Sequence, residues 1–294
     1  MTTILLSTYN GEKFLIEQID SLLSQSVPVR IFVRDDGSSD STLEILKQYE
    51  AEGKIELVAG ENFGVAKSFF WLLQNASPSD YYAFCDQDDV WDTDKIEVAL
   101  QKLQAMDNDK PLLYMGTTRH VDSELNPLPK KKVRKRKLTF GTSLIESAAV
   151  GCTFIFNHAL VSLVQQQEPQ DFYIHDWFLH KIAAGCGEII FDDNPHINYR
   201  QHGDNVIGGR KSFSQRLKGI VFGKNAGVRH RDAVALEKYF TKALIAENVA
   251  TLKTLTQYKT GLRTKWRLMF SKSIRPSKLT HRLFFRLLIL FGRL

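Results

Sequence analysis

Cysteine is scarce in this chain: three in 294 residues, at Cys85, Cys152 and Cys186. An odd, widely spaced set supports neither a disulfide framework nor a Cys-rich zinc site. Long apolar runs are missing as well. No stretch of 18 apolar residues occurs, so no membrane-spanning helix is predicted. The opening Met1-Thr2-Thr3-Ile4-Leu5-Leu6-Ser7 has neither the basic flank nor the apolar length of a secretory leader, and reads as a first strand. Acidic residues are missing from one region: residues 248–294 hold eleven Lys and Arg and no Asp or Glu. The formal net charge of +6 hides this asymmetry, because residues 1–247 carry 28 basic against 33 acidic residues. A mildly acidic body carries a basic tail. A second basic run, residues 130–137, interrupts the body. Such runs meet nucleic acid, anionic lipid or phosphate-bearing substrates.

What is present first is an alternation of strand and helix. Ile4 to Ser7 is apolar and short enough for a strand. Leu15, Ile19, Leu22 and Leu23 then share one face of a helix. Residues 30–34 form a second strand, and the turn after it caps a helix bearing Leu43, Leu46 and Tyr49. A third strand at 55–58, a helix through Phe70 and Leu73, and a strand at 81–85 continue the order. Repeated β-α units predict a parallel sheet with helices on both faces. Beyond them, strands are expected at 112–116 and 153–156, and helices at 143–149 and 174–184. One helix is expected over 227–257, with Val234, Leu236, Phe240, Leu244 and Ile245 in the core.

Polar clusters follow the strands at their carboxyl ends, where open α/β sheets bind ligands. The most telling is Tyr81-Tyr82-Ala83-Phe84-Cys85-Asp86-Gln87-Asp88-Asp89-Val90-Trp91, an apolar run ending in three carboxylates with no basic residue among them. Close like charges repel, and each is costly to desolvate. A divalent cation relieves both costs; hard oxygen ligands suit Mg2+ or Mn2+, which usually carry a substrate phosphate too. Taken alone, this segment is also compatible with a solvated Asp-rich turn. The other clusters are Ser7-Thr8-Tyr9-Asn10, Asp35-Asp36-Gly37-Ser38, His175-Asp176-Trp177 and Tyr199-Arg200-Gln201-His202-Gly203. Each has a plain structural explanation: Asp-Gly-Ser is a common turn, and Asp176 could simply cap a helix.

Their joint order is far more specific. The chain resembles the inverting glycosyltransferases of family 2, which have the GT-A fold. The matching elements are Ser7-Thr8-Tyr9-Asn10-Gly11, Val33-Arg34-Asp35-Asp36-Gly37-Ser38-Ser39-Asp40, Asn62-Phe63-Gly64, Asp86-Gln87-Asp88-Asp89-Val90-Trp91 and His175-Asp176-Trp177. They span roughly residues 1–210. Within the family, the wording is most similar to bacterial rhamnosyltransferases of cell-wall and capsular polysaccharide synthesis. The resemblance implies a GT-A domain over residues 1–225, with a Rossmann-like, mostly parallel α/β sheet; the basic and apolar residues of the tail, read by themselves, suggest a helical, membrane-associating region over 226–294. The resemblance also implies transfer of L-rhamnose from dTDP-L-rhamnose to a lipid-diphosphate-linked saccharide, with Mn2+ or Mg2+ as cofactor. A UDP-hexose or UDP-N-acetylhexosamine donor is the alternative within the fold.

Site roles follow from the same resemblance. Ser7, Tyr9 and Asp36 should line the nucleotide pocket, with Asp36 accepting the base N3 proton. Asn62, Gly64 and Lys67 belong to the donor site, Asp86 should face the ribose, and Asp88 and His202 the metal. Asp176 should be the general base. The chain departs from the family where His175 replaces a common Glu before the base. It also lacks the usual diphosphate-binding Arg in the helix after Asn62-Phe63-Gly64, where Lys67 is the nearby cation.

Three rival readings are weaker. A haloacid-dehalogenase phosphatase also shows Asp-x-Asp after an apolar strand, but after the first strand of its core and with a later Gly-Asp-x-x-x-Asp pair, absent here. A non-catalytic sugar-nucleotide-binding scaffold would have no need of Asp86, Asp88 and Asp176. Nucleic acid is not expected as a partner: the basic tail alternates with Leu, Phe and Ile, as in an interfacial helix. Its apolar end is too short to span a bilayer. The expected setting is therefore cytoplasmic and peripheral on the inner leaflet. The tail's apolar face could instead pack on the body or in a homodimer.

Overall fold

The structure, a computed structural model, describes residues 1–129, 137–202 and 227–294. Most of the basic run at 130–137, the chain just after His202 and the boundary expected at 225/226 lie outside the described residues.

Apolar, partly β-branched segments form the strands β1 (Thr2–Thr8), β2 (Val29–Asp35), β3 (Glu56–Ala59) and β4 (Tyr81–Cys85). They pair in parallel in the spatial order β3-β2-β1-β4. The helices α1 (Leu15–Leu23), α2 (Thr42–Ala51) and α3 (Val65–Asn75) connect them. β2 and β3 add to one side of β1, and β4 to the other. This reversal opens a crevice at the carboxyl ends of β1 and β4.

The chain continues through β5 (Val90–Trp91), α4 (Lys95–Gln104), β6 (Leu112–Val121), α5 (Phe140–Ser143), β7 (Ile155–Asn157), α6 (His158–Gln167), α7 (His175–Cys186) and β8 (Glu188–Arg200). The full order is β3-β2-β1-β4-β7-β6-β8-β5, with four of the seven neighbouring pairs parallel. Successive strand residues face opposite sides of the sheet. Ile4, Leu6, Ile31, Val33, Ala83 and Cys85 therefore pack under α1, α2 and α4. Leu5, Phe32 and Phe84 pack under α3, α6 and α7. Helices on both faces are thus observed.

Two expected helices differ. Residues 143–149 are not a helix: α5 ends at Ser143, and Val150 is extended (φ −97°, ψ 151°) as the chain runs to Gly151 beneath α7. The helix expected over 227–257 is two, α8 (Val228–Phe240) and α9 (Ala246–Thr256). The break is tertiary, since Ile245 N donates to Gly185 O at the end of α7 (3.0 Å). It leaves Ile245 exposed, as Val234 also is, while Leu236, Phe240 and Leu244 are buried as expected.

The last helices are α10 (Leu262–Met269) and α11 (Leu279–Leu290). Leu252, Leu255, Leu268, Leu288 and Ile289 join the hydrophobic cluster that contains Phe178 and Leu179 of α7. A wholly buried ion pair, Lys181 Nζ to Asp232 Oδ2 at 2.6 Å, fixes α8 on α7. The other oxygen of Asp232 accepts Tyr173 N (2.8 Å). Among the described residues, no helix is long and apolar enough to cross a membrane.

Candidate active site

Two carboxylate turns and one helix start meet at the carboxyl edge of the sheet. The first turn follows β2. Asp35 accepts Thr8 Oγ1 (2.9 Å), Ser38 N (2.9 Å) and Ser38 Oγ (2.6 Å). Asp36 is buried and ion-paired with Arg34. Asp36 also accepts Phe63 N on Oδ1 (2.9 Å) and Gly64 N on Oδ2 (2.8 Å). The Asn62-Phe63-Gly64 loop is thereby fixed against β2, with Asn62 Oδ1 taking Gly64 N as well (3.0 Å). Arg34 is itself buried; it donates to Glu61 O (2.8 Å) and Ser68 Oγ (3.2 Å) and lies 4.3 Å from the Phe63 ring. Ser7 Oγ meets Ser68 Oγ at 2.7 Å. Tyr9 is held by its backbone: Gln87 Oε1 accepts Tyr9 N (2.7 Å) and Gln87 Nε2 donates to Tyr9 O (3.0 Å). A Cβ at position 11 would stand 2.4 Å from Gln87 Oε1, so this clasp needs Gly11. The Tyr9 ring itself is 47% exposed.

The second turn follows β4. Burial, then the charges of Asp88 and Asp176, push Asp86 up to about 7. Burial, Asp88 and Asp86 hold Asp89 well above the usual carboxylate range. Asp89 Oδ1 accepts Arg200 N (3.1 Å), and its other oxygen is buried with no hydrogen-bond partner. Asp88 Oδ2 lies 2.6 Å from His202 Nε2. His202 leans on Phe14, ring centroids 5.0 Å apart.

Counter-charge does reach this turn, though not from the turn's own sequence. Lys95 at the start of α4 is buried, and burial lowers it to about 7. Its Nζ donates to Cys152 O (2.8 Å) and sits over the Trp91 ring. Arg200, at the end of β8, donates from Nε to Asp88 O (2.8 Å) and from Nη2 to Glu17 Oε2 (2.5 Å).

The third element is the start of α7. Asp176 accepts Trp177 N on Oδ1 (2.6 Å) and Gly151 N on Oδ2 (3.0 Å), and burial raises its pKa. A Cβ on residue 151 would come within 2.9 Å of Asp176 Cβ and 3.1 Å of His175 Nε2. Only glycine allows this close approach. His175 turns away from the crevice. It is buried, stacked on Phe69 (4.0 Å) and edge-on to Phe84 (5.0 Å), and burial lowers it to about 3. The residue that replaces the family's Glu is therefore a neutral packing group behind Asp176.

The structure thus brings Asp86, Asp88, His202 and Asp176 together, and gathers Ser7, Asp36, Asn62 and Gly64 around Arg34 and Ser68. Lys67 stands apart: it is exposed on α3 and makes no hydrogen bond or ion pair among the described residues. Sequence reasoning placed Arg34 and Arg200 in candidate clusters without a role, and missed Lys95 and Gly151. Arg34 left a trace, as a charge ending the apolar run Ile31-Phe32-Val33. Lys95 left none.

Two donor sets at this turn are available to a divalent ion: the expected Asp88 and His202, whose ligand atoms lie 2.6 Å from each other, and, apart from them, Asp86, Asp89 and Cys152, whose ligand atoms lie within 4.8 Å of one another. Burial and the nearby carboxylates push the Cys152 thiol well up, so it stays protonated and the carboxylates are the effective donors.

Residues 3–162, more than half of the chain, match glycosyl transferase family 2, and the chain belongs to that family. It is similar to the dTDP-rhamnosyl transferase RfbG of Shigella flexneri, 29% identical over 238 residues that cover 76% of this chain and 81% of that one. TarS of S. aureus, solved with UDP-GlcNAc, matches with a TM-score of 0.59 at 17% identity, over 96% of this chain and 77% of that one. The mannosyltransferase PcManGT of Pyrobaculum calidifontis, solved with GDP-Man and Mn2+, matches with a TM-score of 0.52 at 15% identity, over 99% and 84%. These two likenesses are of fold, and the fold is GT-A.

Proposed function

We propose that the protein transfers L-rhamnose from dTDP-L-rhamnose, with inversion, to a saccharide carried on a lipid diphosphate, in polysaccharide synthesis. The observation that carries the transfer chemistry is the gathering of Asp86, Asp88 and Asp176 at the sheet's carboxyl edge, where burial raises both Asp86 and Asp176. The likeness to a dTDP-rhamnosyl transferase supports the donor. In this reading residues 1–225 perform the transfer, and residues 226–294 form a helical appendage that meets the inner leaflet.

Asp88 and His202 would hold Mn2+ or Mg2+, with Asp86 turned to the ribose. Such an ion supplies charge neutralisation to the departing diphosphate. Asp176 acts on the acceptor. Each of its oxygens accepts one backbone N–H and keeps a lone pair. Its raised pKa makes it a stronger base than an ordinary carboxylate. It takes the acceptor hydroxyl proton as that oxygen bonds to the anomeric carbon and the bond to the diphosphate breaks. One displacement without a covalent intermediate inverts the anomeric centre. Asp36 Oδ2 carries one donor, Gly64 N, and so can still accept a pyrimidine N3–H. Ser7, Tyr9 and Asn62 complete the nucleotide pocket, and Lys67 is the cation assigned to the diphosphate. A UDP-hexose or UDP-N-acetylhexosamine is the second reading, because uracil presents the same N3–H to Asp36.

The test measures nucleoside diphosphate release from dTDP-rhamnose, UDP-glucose, UDP-galactose and UDP-GlcNAc with Mn2+ or Mg2+. We expect release of dTDP. Asp176→Asn should lower turnover by about 10^3-fold, a typical general-base contribution, with donor affinity retained. Turnover of UDP-sugars alone would reject rhamnose. No turnover of any donor would favour the scaffold. Equal loss of donor affinity in Asp176→Asn would make this residue a donor ligand.

A further inference from the structure

The last two helices have a second face that the core does not use. α10 buries Leu268 and α11 buries Phe285, Leu288 and Ile289 against the body. On the opposite face of α10, Leu262, Trp266 and Phe270 follow one another at four-residue spacing and are 76%, 56% and 57% exposed. On α11, Leu279, Leu283 and Leu287 do the same, at 75%, 68% and 40% exposed. Residues four apart line one side of a helix, so each set is a stripe. The stripes meet where the Arg286 guanidinium lies 5.1 Å from the Phe270 ring, itself stacked on Trp266 at 5.3 Å. Lys265 Nζ also donates to Leu290 O (3.0 Å), tying the helices together. Half of the large apolar side chains exposed among the described residues fall in this final segment.

The surroundings say what covers this face. Arg263, Arg267, Lys278 and Arg286 are exposed beside the stripes. Residues 248–294 contain no acidic side chain. A second copy would set these cations against the same cations. Nucleic acid would need cations, not Leu and Trp, at the centre of the face. A bulky apolar centre within a cationic rim complements a bilayer with anionic headgroups, whose acyl boundary takes the apolar chains and whose phosphates take the rim.

We propose that α10 and α11 form a two-helix seat for an anionic membrane surface, with the six stripe residues entering the acyl boundary. It deepens the membrane side of the function proposed above. Its test needs neither donor nor turnover, so the two can fail separately.

The full chain is sedimented with phosphatidylcholine vesicles and with vesicles containing phosphatidylglycerol, at low and high salt. We expect binding to the anionic vesicles, weakened at least tenfold by high salt and by omission of phosphatidylglycerol. The triple variant Trp266→Ser, Leu283→Ser, Leu287→Ser alters only exposed positions. It should keep the wild-type circular dichroism melt and lose at least tenfold in anionic-vesicle affinity. Absence of wild-type binding, or equal binding by the variant, would overturn the proposal. So would a dimer that forms without lipid and that the triple substitution dissolves.

Discussion

The two carboxylate turns of the sheet edge differ in how their charge is answered. After β2, Asp35 and Asp36 are met by Thr8, Ser38, Arg34 and the backbone of the Phe63–Gly64 loop. After β4, Asp86 and Asp89 are raised by burial and then by the charge of Asp88, Asp89 keeps an unpartnered oxygen, and the nearest buried amine, Lys95, is itself lowered by burial. Sequence offers two similar acidic turns; folding completes one and, although Lys95, Arg200 and His202 reach the other, leaves Asp86 and Asp89 there above the usual carboxylate range. In the proposed reading the first turn is a scaffold for the base pocket, and the second is suited to a cation that arrives with substrate. Electrostatic frustration of this kind marks functional sites more than structural ones.

Removing a charge should therefore act in opposite directions at the two turns. Asp36→Asn leaves the Arg34 guanidinium buried without its carboxylate and loosens the Asn62-Phe63-Gly64 loop. Breaking one side of a buried pair costs about 3–5 kcal/mol. Denaturant unfolding of Asp36→Asn should show a loss of that size. Asp86→Asn should be neutral or stabilising in metal-free buffer above pH 4, because the fold raises this carboxyl from 3.8 to about 7 and so loses stability as the unfolded chain ionises it. A destabilised Asp86→Asn beside an unaffected Asp36→Asn would invert the comparison.

Added metal should act on the second turn alone. At a concentration of about 100 times its Kd, Mn2+ should stabilise the wild type by about 2.7 kcal/mol. The melting temperature should rise for the wild type and for Asp36→Asn, but hardly for Asp88→Asn. An equal rise in Asp88→Asn would remove Asp88 from the metal site.

Much of this contrast was readable in the sequence, and part was not. The β-α alternation through Cys85 was clear because apolar strands and helical periodicity are local signals. Asp86, Asp88 and Asp176 were found because they stand at strand and helix ends in a specific order. The part that Lys95 and Arg200 play was not legible because they reach the second turn from α4 and β8, and folding alone brings them there. The break between α8 and α9 was missed for a similar reason. No Gly or Pro interrupts residues 241–245, and the helix stops because Ile245 bonds to Gly185. The tail illustrates both cases: its basic, apolar character was evident and packing on the body was an open alternative, but the α7 side of the core as the place where Leu288 and Ile289 pack was not legible.

The smallest expected effect concerns the group that joins the two turns. His175 packs on Phe69, in the helix that follows the loop held by Asp36, and on Phe84, in the strand that feeds Asp86. It is buried and lowered to about 3, against an ordinary value of 6.5. Between those values the folded protein holds this ring neutral while the unfolded chain protonates it. The unfolded state then binds more protons, so stability falls as pH drops from about 6.5 toward about 3, by about 1.4 kcal/mol per pH unit for one ring. His180, also buried and lowered to about 3, adds a similar slope. His175→Phe keeps an aromatic ring between Phe69 and Phe84 and removes one titration. Urea unfolding at pH 4, 5 and 6 should give a shallower acid limb for the variant, by about one proton, with the two proteins converging above pH 7. Parallel limbs would mean that the ring is not held neutral between the turns, and that the wall joining scaffold to site is open to water.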